Sequence, residues 1–515
     1  MILDDTSATN AGERTTLDDL FRRVAARRPD ATALIDPPNR ESFTDGAPRR
    51  LTYAEADRLI SAIAGRLRRI GLSTDAVIGV QCPNTVESVL VLLAILRAGM
   101  IAAPLPLLWR QADCVTALSR IGAKALITVS GIGQVDHCQL AMQVAAKIFS
   151  IRYVCGLGGN LADGVIPLDD LVEGENLDPP LQFERERKGN PAAHVAIVTW
   201  EVTSEGLLPV ARNHLELLAA GLALVLESRL MQDAAILAAT PTTSFAGIAL
   251  TLLPWLFAGG TLTLHHPFDP QSLADQLAQP CDLAVLPAPL LPRLLESGIL
   301  SVRTRIKTIL AVWRSPERLA QGAVWPLPEI ALLDVPVFGE TALFAIRRNS
   351  DGKPARIPIG AVVAPRGDAG AVQVAEIRRG EAGSVALGGP MVPRHPFPPA
   401  GRRAGAAFLR PAENGLVDAG YTCRIELSTR SLVVTGPPPG IVSVGGYRFV
   451  VRELQDMIAH VQDGATLVAL PDILSGHRLA GHAGDRAALR EALMQLGVNP
   501  LVVRAFRDRE QPSAA

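Results

Sequence analysis

Segments typical of β-strands alternate with segments typical of α-helices between residues 51 and 289, and this alternation limits the fold more than any other feature. The apolar run AVIGVQCPN is followed by the helix-like TVESVLVLLAILRAGM and the strand-like IAAPLPL. The same alternation of strand-like and helix-like segments recurs from AHVAIVTW to CDLAVLPAP. Strands that alternate with helices pair in parallel, because each crossover helix covers a face of the sheet. The sequence therefore predicts an α/β fold with parallel-rich sheets.

The first long helix has sequence signals at both of its ends. In LTYAEADRLISAIAGRLRRIG, Thr52 is followed three residues later by Glu55, which is the pattern of a capping box. Gly71 is a suitable residue for the end of the helix, because glycine adopts the left-handed conformation found there. We therefore expect a helix that begins after Thr52 and ends near Gly71.

The kind of secondary structure that the sequence predicts changes after about residue 350, where short strands with Gly and Pro turns predominate. A chain of 515 residues is expected to hold two or more domains. We assign residues 1–420 to a large N-terminal domain, with a β-rich subdomain at about 350–420. Residues 421–515 are assigned to a small α+β C-terminal domain of the lid type. Residues 393–406 are expected to form a mobile loop, and residues 508–515 a frayed end.

Composition excludes several classes of function. The net charge is -1, so no overall positive field attracts nucleic acid or an anionic membrane. The six cysteines are scattered, and the acidic, polar N-terminus is unlike a secretory signal, so a reduced, cytoplasmic protein is expected. Residues 234–264 carry no charged side chain, but Pro241 and Pro254 interrupt them. We predict strand, loop, buried helix and strand there, and no membrane span.

Four framework stretches resemble the adenylate-forming superfamily of acyl- and aryl-CoA ligases, luciferases and peptide-synthetase adenylation domains. They are AILRAGMIAAPLPL, LLPWLFAGGTLTLHHPFDP, RRGEAGSVALGGPMV and VSVGGYRFVVRELQDMI, and the resemblance runs from about Leu51 to Phe506. It implies that a carboxylate attacks the α-phosphate of ATP with the help of Mg²⁺. A thiol, usually that of CoA, then displaces AMP. It also implies a C-terminal domain that rotates between the two steps and supplies a lysine for the first.

The segment TWEVTSEGLLPVARNH occupies the place of the family's phosphate-binding loop, Thr-Ser-Gly-Thr-Thr-Gly-x-Pro-Lys-Gly followed by a His. Counted back from His214 without a gap, Thr203 and Ser204 keep the two hydroxyl positions. The other groups are replaced: Trp200 and Glu201 stand at the Thr-Ser, Val202 and Glu205 at the two glycines, and Leu208 at the lysine.

These replacements oppose phosphate binding on physical grounds. Val202 does not readily take the positive φ values that glycine provides. Glu201 and Glu205 are expected to bring negative charge to the place of the triphosphate. A one-residue gap would keep Gly206 and Pro209 at the family's glycine and proline, but neither alignment supplies the lysine.

The segment DVPVFGETALF resembles the family's aromatic-Gly-x-Thr-Glu, in which the aromatic ring stacks on adenine and the Glu holds Mg²⁺. Phe338, Gly339 and Thr341 match this motif. Ala342 stands at the position of the Glu, so the metal ligand is missing, and only the neighbouring Glu340 offers a carboxylate. We therefore expect no metal site of the family type.

Three further motifs depart from the family pattern. Trp313 and Arg314 replace the glycines of the Gly-Gly-Ala-Pro wall along the adenine, and their size is expected to fill the nucleotide pocket. Tyr421 stands at the aspartate that binds the ribose. Pro437 begins a proline run in place of the charged residues of Gly-Arg-x-Lys. No lysine follows Lys353, so the C-terminal catalytic lysine is absent.

The acid-binding motif also differs, because Ser244 stands at the His of the family's Pro-x-Phe-His.

Structural explanations compete with functional ones at several matched positions. Thr203 and Ser204 are common turn residues, and Phe338 and Trp313 are aromatic residues typical of a core. The arginines of the loop GRRAG (Arg402 and Arg403) are expected to be exposed.

Three hypotheses for the function follow. The first is an acyl-CoA synthetase-like protein that has lost most ATP-dependent activation and binds a small carboxylic acid, an acyl thioester or a protein partner, but no nucleic acid. The second is a divergent but active acid–CoA ligase with relocated catalytic groups, for which Glu340, Arg424, Arg448 and Arg504 are the candidates. The third retains only a thioester half-reaction. ATP, Mg²⁺ and CoA are implied by the resemblance alone, and the degraded motifs leave the cofactor open.

Overall fold

The computed structural model describes residues 14–169, 189–301, 304–394, 397–398 and 415–507. Most of the loop expected at 393–406, with Arg402 and Arg403, lies outside these ranges, as does the tail 508–515.

Helices and strands alternate through the first half of the described chain. The helices are α1 (Leu17–Arg27), α2 (Tyr53–Arg69), α3 (Val86–Arg97), α4 (Gln111–Ile121), α5 (His137–Lys147), α6 (His214–Ser228), α7 (Phe245–Gly247), α8 (Leu253–Ala258), α9 (Pro270–Leu277), α10 (Leu291–Glu296), α11 (Val451–Val461), α12 (Arg486–Gln495) and α13 (Pro500–Arg504). The strands are β1 (Thr32–Ile35), β2 (Arg50–Thr52), β3 (Val77–Gln81), β4 (Ile101–Pro104), β5 (Ala125–Val129), β6 (Gly131–Ile132), β7 (Val135–Asp136), β8 (Tyr153–Leu157), β9 (Ile166–Pro167), β10 (Val195–Thr203), β11 (Gly206–Asn213), β12 (Ala235–Ala238), β13 (Thr261–Leu264), β14 (Cys281–Pro287), β15 (Ile306–Trp313), β16 (Ala331–Phe338), β17 (Ala342–Leu343), β18 (Ile346–Arg347), β19 (Ile357–Pro358), β20 (Gly360–Ala364), β21 (Val372–Arg379), β22 (Ser384–Gly388), β23 (Val417–Glu426), β24 (Ser431–Gly436), β25 (Ile441–Val444), β26 (Tyr447–Val450), β27 (Thr466–Asp472) and β28 (Gly476–His482).

Two parallel-rich sheets form the larger part of the structure. Within the described ranges, one sheet has the order β17-β16-β15-β14-β12-β13-β1-β2, with β18 beside β16, and the other has the order β11-β10-β4-β3-β5-β8-β9. The strands from β16 to β13 in the first sheet pair in parallel, as do those from β10 to β9 in the second. The predicted α/β fold is confirmed.

The sequence signals at α2 and in the uncharged stretch are also confirmed. The Thr52 side chain accepts a hydrogen bond from the Glu55 N–H at 3.2 Å, and the Glu55 carboxylate accepts one from the Thr52 N–H at 2.7 Å. Residues 234–264 form β12, a buried helical segment and β13, with a π-helical turn (Ile248–Leu252) between α7 and α8. In the part of the chain that the structure describes, no helix is long and apolar enough to cross a membrane.

Two smaller sheets follow. One has the order β19-β24-β23-β22-β21-β20, and the other has the order β26-β25-β28-β27. The boundary expected at 420/421 falls inside β23, which pairs with both β22 and β24 of the same sheet. We therefore propose that the boundary lies in the turn at 437–440. The residues before this turn are called the large unit, and those from Ile441 onward the small unit.

The small unit has a core of its own. Its centre is made by Ile458, Leu489, Leu493, Val502 and Phe506, each 2% exposed or less. The α11, α12 and α13 helices supply these side chains except that of Phe506, which follows α13.

Candidate active site between the two units

A cavity of about 380 Å³ lies where the two parallel-rich sheets meet the small unit. Its walls come from the hairpin β10–β11, the segment before α7, the ends of β15 and β16, and the loops around β25, β26 and β28. The carboxyl ends of parallel strands in α/β folds are where ligands usually bind. The predicted segments that contain Glu201, Ser244, Arg314 and Gly339 meet at this cavity.

The supposed phosphate loop is a tight β-hairpin. Strands β10 and β11 pair in register as far as Thr203 and Gly206, which leaves Ser204 and Glu205 as the central residues of the turn. The Thr203 hydroxyl donates to the Gly206 carbonyl at 3.0 Å and accepts from the Glu205 N–H at 3.2 Å. Thr203 therefore stabilises the turn, as its alternative interpretation predicts.

Glu201 is the hairpin residue that reaches the cavity. Its carboxylate forms an ion pair with Arg448 of β26, and it accepts a hydrogen bond from the Glu340 N–H at 2.6 Å. Gly339 has a φ of 57°, and a Cβ at this position would overlap the Glu201 carboxylate. Glu201 thus fills the space beside the Gly339 backbone and links the hairpin to the small unit.

Phe338 and Tyr421 lie behind this ion pair. Phe338 is 0% exposed, packs edge-on against Tyr421 at 5.5 Å and stacks on Phe344 at 6.0 Å. Tyr421 is 1% exposed, and its hydroxyl accepts a hydrogen bond from Arg448. The Phe338 ring is therefore part of the core and presents no face to a nucleotide. Tyr421 supports the arginine from the place where the family has its ribose-binding aspartate.

Arg212 stabilises the turn at 339–341. The Arg212 guanidinium donates to the carbonyls of Glu340 and Thr341 and lies 3.6 Å from the centre of the Phe245 ring. Burial lowers the pKa of Arg212 to about 10. The Glu340 carboxylate accepts from the Phe245 N–H at 2.8 Å, and burial together with the charge of Glu201 raises its pKa. Hydrogen bonds thus link Arg212, the turn at 339–341 and the start of α7.

Trp313 forms a wall of the cavity at the end of β15. Its indole N–H donates to Asp334 at 2.8 Å, and Asp334 is 0% exposed and paired with Arg348 at 2.8 Å. Trp313 also borders a second cavity of about 300 Å³. The ring thus separates two cavities and does not fill the first one, contrary to the expectation that it occupies the nucleotide pocket.

Arg314 and Ser244 line the same cavity and contact each other. Arg314 Nη2 lies 3.3 Å from the Ser244 hydroxyl, which also accepts from the Gly247 N–H at 3.2 Å as the N-cap of α7. Burial lowers the pKa of the Arg314 guanidinium. The Arg314 side chain lies against Gly446 of the small unit, where an added Cβ would be 2.7 Å from Cδ.

The remaining predicted residues lie outside the cavity, except for Trp200 and Val202, which line it. Glu205 is exposed at the tip of the hairpin, so it does not bring its charge to the cavity as expected. Leu208, Ala342 and Thr341 are buried, with 4%, 0% and 2% of their surface exposed. Pro437 opens the turn between the units. Arg424 and Arg504 are exposed and lie away from the cavity.

The residues present do not fit a bound Mg·ATP. The two carboxylates that line the cavity belong to Glu201, which is paired with an arginine, and to Glu340, which is buried with a raised pKa. The Val202 and Glu205 N–H groups are bonded to side chains of the hairpin. Among the described residues, no group of three or more His, Cys, Asp or Glu side chains is arranged to hold a metal ion.

Sequence reasoning missed Arg212 and Tyr447. Arg212 is a charged residue near the end of a mostly apolar and mostly buried strand, which is a signal for a specific internal partner. Tyr447 lines the cavity, and its hydroxyl accepts from the Leu108 N–H at 3.1 Å. No feature of the sequence marks that contact, because it joins residues of two units.

Comparisons with known proteins agree with this architecture. A family profile described as AMP-binding enzyme matches residues 21–312. The 2-hydroxy-7-methoxy-5-methyl-1-naphthoate–CoA ligase of Streptomyces carzinostaticus is 28% identical over 223 residues, which cover 42% of this chain and 38% of the ligase. The Beauvericin nonribosomal cyclodepsipeptide synthetase BEA1 of Gibberella fujikuroi is 30% identical over 112 residues, which cover 22% of this chain and 3% of that protein. The chain thus spans less than two thirds of either relative's length.

Solved structures show the same fold at low sequence identity. The amide bond synthetase McbA from Marinactinospora thermotolerans superposes with a TM-score of 0.70 at 16% identity, with 94% of each chain covered. A putative long-chain-fatty-acid CoA ligase from Rhodopseudomonas palustris superposes with a TM-score of 0.60 at 19% identity, with 83% of this chain and 100% of that chain covered. Because the matched profile also covers more than half of the sequence, the chain belongs to the AMP-binding enzyme family.

Proposed function

We propose that this protein binds a small carboxylic acid or an acyl thioester in the cavity between its units and has lost most ATP-dependent carboxylate activation. The observation that carries the proposal is the position of Glu201. Its carboxylate, fixed by Arg448 and by the Glu340 N–H, lies against Gly339 at the motif where the family places its nucleotide. The carboxylate takes up the space beside the Gly339 backbone and engages Arg448, so neither that space nor that cation is left for a triphosphate.

The magnitude of the loss follows from the missing groups. Removing one preorganised donor at a charged transition state costs roughly 10²–10³ in rate. The chain lacks the loop lysine, the metal-binding glutamate and the C-terminal lysine, since Leu208 and Ala342 stand at the first two and no lysine follows Lys353. Even with strong non-additivity, we expect a deficit of about 10⁴ or more in adenylation.

A divergent but active ligase is the second candidate. It draws support from Glu340 and Arg448, which line the cavity. Arg424 and Arg504 give it no support, because neither side chain reaches the cavity. For Glu340 to act as a metal ligand, it would have to ionise despite burial and the neighbouring charge of Glu201, both of which raise its pKa.

Two measurements on the full chain decide between these candidates. Calorimetry with Mg·ATP is expected to give no binding heat, and pyrophosphate exchange over a panel of carboxylic acids is expected to stay at the level of the blank. An active acyl-CoA ligase assayed in parallel checks that exchange is measurable. Acid-dependent exchange would contradict the proposal and favour the divergent ligase. Acyl-CoA binding without exchange would support a thioester ligand.

A further inference from the structure

Arg314 is a half-buried cation that faces the cavity with one neutral partner. In the described residues its hydrogen bond is the one between Nη2 and the Ser244 hydroxyl at 3.3 Å, and no carboxylate lies within ion-pair distance. The guanidinium has five N–H donors in a planar fork. Most of these donors are therefore left for solvent or for a ligand.

The charges around the cavity leave room for one additional anion. Its lining contains three arginines and two glutamates. Arg448 is paired with Glu201, and Arg318 donates to the carbonyls of Asp472 and Ile473, which fixes its position without neutralising its charge. The positive excess is one charge with both glutamates ionised and two with Glu340 protonated, which suits a monoanion but is too small to bind a triphosphate well.

Apolar rings line the cavity near these charges. Trp200 and Trp313 both border it, and their indole N–H groups are held by the Pro104 carbonyl at 2.9 Å and by Asp334 at 2.8 Å. Anchored in this way, the two rings are rigid apolar walls. A volume of about 380 Å³ is near the lower end of small-molecule sites and suits an acid with one or two rings.

We propose that Arg314 binds the carboxylate of a small aromatic monocarboxylic acid, with Ser244 orienting the guanidinium and with Trp200 and Trp313 in contact with the aromatic body. This inference rests on the proposed function and names the ligand class and its binding group. Arg314 stands where the resemblance places a glycine of the adenine wall, so the binding group belongs to this chain and not to the family pattern.

The experiment compares an acid with its uncharged analogue. Calorimetry on the full chain with 1-naphthoate and 1-naphthamide, and with benzoate and benzamide, is expected to show tighter binding of the acids. Arg314→Gln is expected to lower the affinity for the acid by about 10- to 100-fold and to leave the amide unchanged, since a charge-assisted pair is lost. Arg293→Gln, an exposed change on α10, is the matched control and is expected to change neither affinity.

Arg314→Lys keeps the charge and guards against misfolding of the glutamine variant, and it should retain part of the preference for the acid. Equal affinity for acid and amide, an unchanged preference in Arg314→Gln, or no binding of any probe at millimolar concentration would overturn the inference. Pyrophosphate exchange measured on the same variants separates the two proposals. If pyrophosphate exchange depends on the acid and acid binding still depends on Arg314, only the proposed loss of activation is contradicted. If the acid binds equally well to the wild type and to Arg314→Gln, only the present inference is contradicted.

Discussion

The carboxylate of Glu201 and the guanidinium of Arg448 form an ion pair that joins the β10–β11 hairpin to the small unit. Both side chains are largely buried, with 9% and 13% exposed. The same carboxylate accepts the Glu340 N–H, so one side chain connects the hairpin, the turn at 339–341 and β26. The orientation of the small unit is therefore coupled to β10 and to the hairpin that it forms with β11.

Glu201→Gln is expected to destabilise the protein, because it leaves Arg448 buried without its charged partner. Removal of one member of a buried pair costs about 3–5 kcal/mol. Urea unfolding measures this change in the free energy of unfolding. Limited proteolysis at the turn 437–440 provides a second readout, because a loosened small unit exposes the connection between the units.

The control is Glu329→Gln, an exposed glutamate for which a change within about 0.5 kcal/mol is expected. The single variant Arg448→Met and the double variant Glu201→Gln with Arg448→Met complete a thermodynamic cycle. We expect a coupling energy of about 0.5–3 kcal/mol between the two positions. Additive effects would show that the pair does not hold the units together.

Trp313→Ala is expected to join the cavities of about 380 and 300 Å³ that the ring separates. Loss of the indole lowers the free energy of unfolding by about 3–5 kcal/mol. Longer acids should then bind better relative to benzoate, which competition calorimetry measures. Trp313→Phe keeps an aromatic wall but loses the pyrrole part of the indole and the hydrogen bond to Asp334, so a cost of about 1–2 kcal/mol and a smaller change in ligand preference than in Trp313→Ala are expected.

The α/β fold could be predicted because each strand and helix carries its own periodicity. The division into units could not, since short strands with Gly and Pro turns look alike in both of the later sheets. Membership of a sheet depends on pairing between distant residues, such as Ser384 with Thr422. The sequence around 421 therefore gave no sign that β23 belongs with β22.

The site was predicted in part for a similar reason. The missing groups at Leu208 and Ala342 could be found by comparison with a motif, because they are local. The partner of Glu201 could not, since Arg448 lies 247 residues further along the chain. Glu205 had the same expected role as Glu201, but strand pairing places it at the exposed tip of the turn.

The pH dependence of stability provides a third prediction, centred on Glu216 at the start of α6. Burial raises its pKa from 4.5 to about 7, while the hydrogen bond from the Asn213 N–H and the charges of Arg212 and Arg394 act in the opposite direction. Because the folded state holds the proton more tightly than the unfolded state, Glu216 costs stability as the pH rises from about 4.5 to about 7. The loss is at most about 3 kcal/mol and is complete above pH 7.

Glu216→Gln removes this titration and keeps the capping box, because glutamine can also accept from the Asn213 N–H. The variant should gain stability relative to the wild type between pH 5 and pH 7.5 in urea unfolding. Burial also raises the pKa of Asp113 to about 6. Asp113 titrates in both the wild type and the variant, so its contribution cancels when their free energies of unfolding are subtracted. The exposed Glu296→Gln is expected to give a flat difference. A flat difference for Glu216→Gln as well would show that its carboxyl group is not shifted.

Arg212→Lys tests whether the turn at 339–341 depends on a planar guanidinium. Arg212 is 1% exposed, donates to the Glu340 and Thr341 carbonyls, and lies over the Phe245 ring. Lysine has a compact ammonium group, which cannot stack on the ring while it bonds both carbonyls in the same geometry. We expect a loss of about 2–3 kcal/mol in the free energy of unfolding. Because Gly339 and Glu340 line the cavity, the affinity for 1-naphthoate should fall as well. Arg293→Lys, at an exposed position of α10, is the matched control, and equal behaviour of the two lysine variants would mean that the guanidinium does not position the turn.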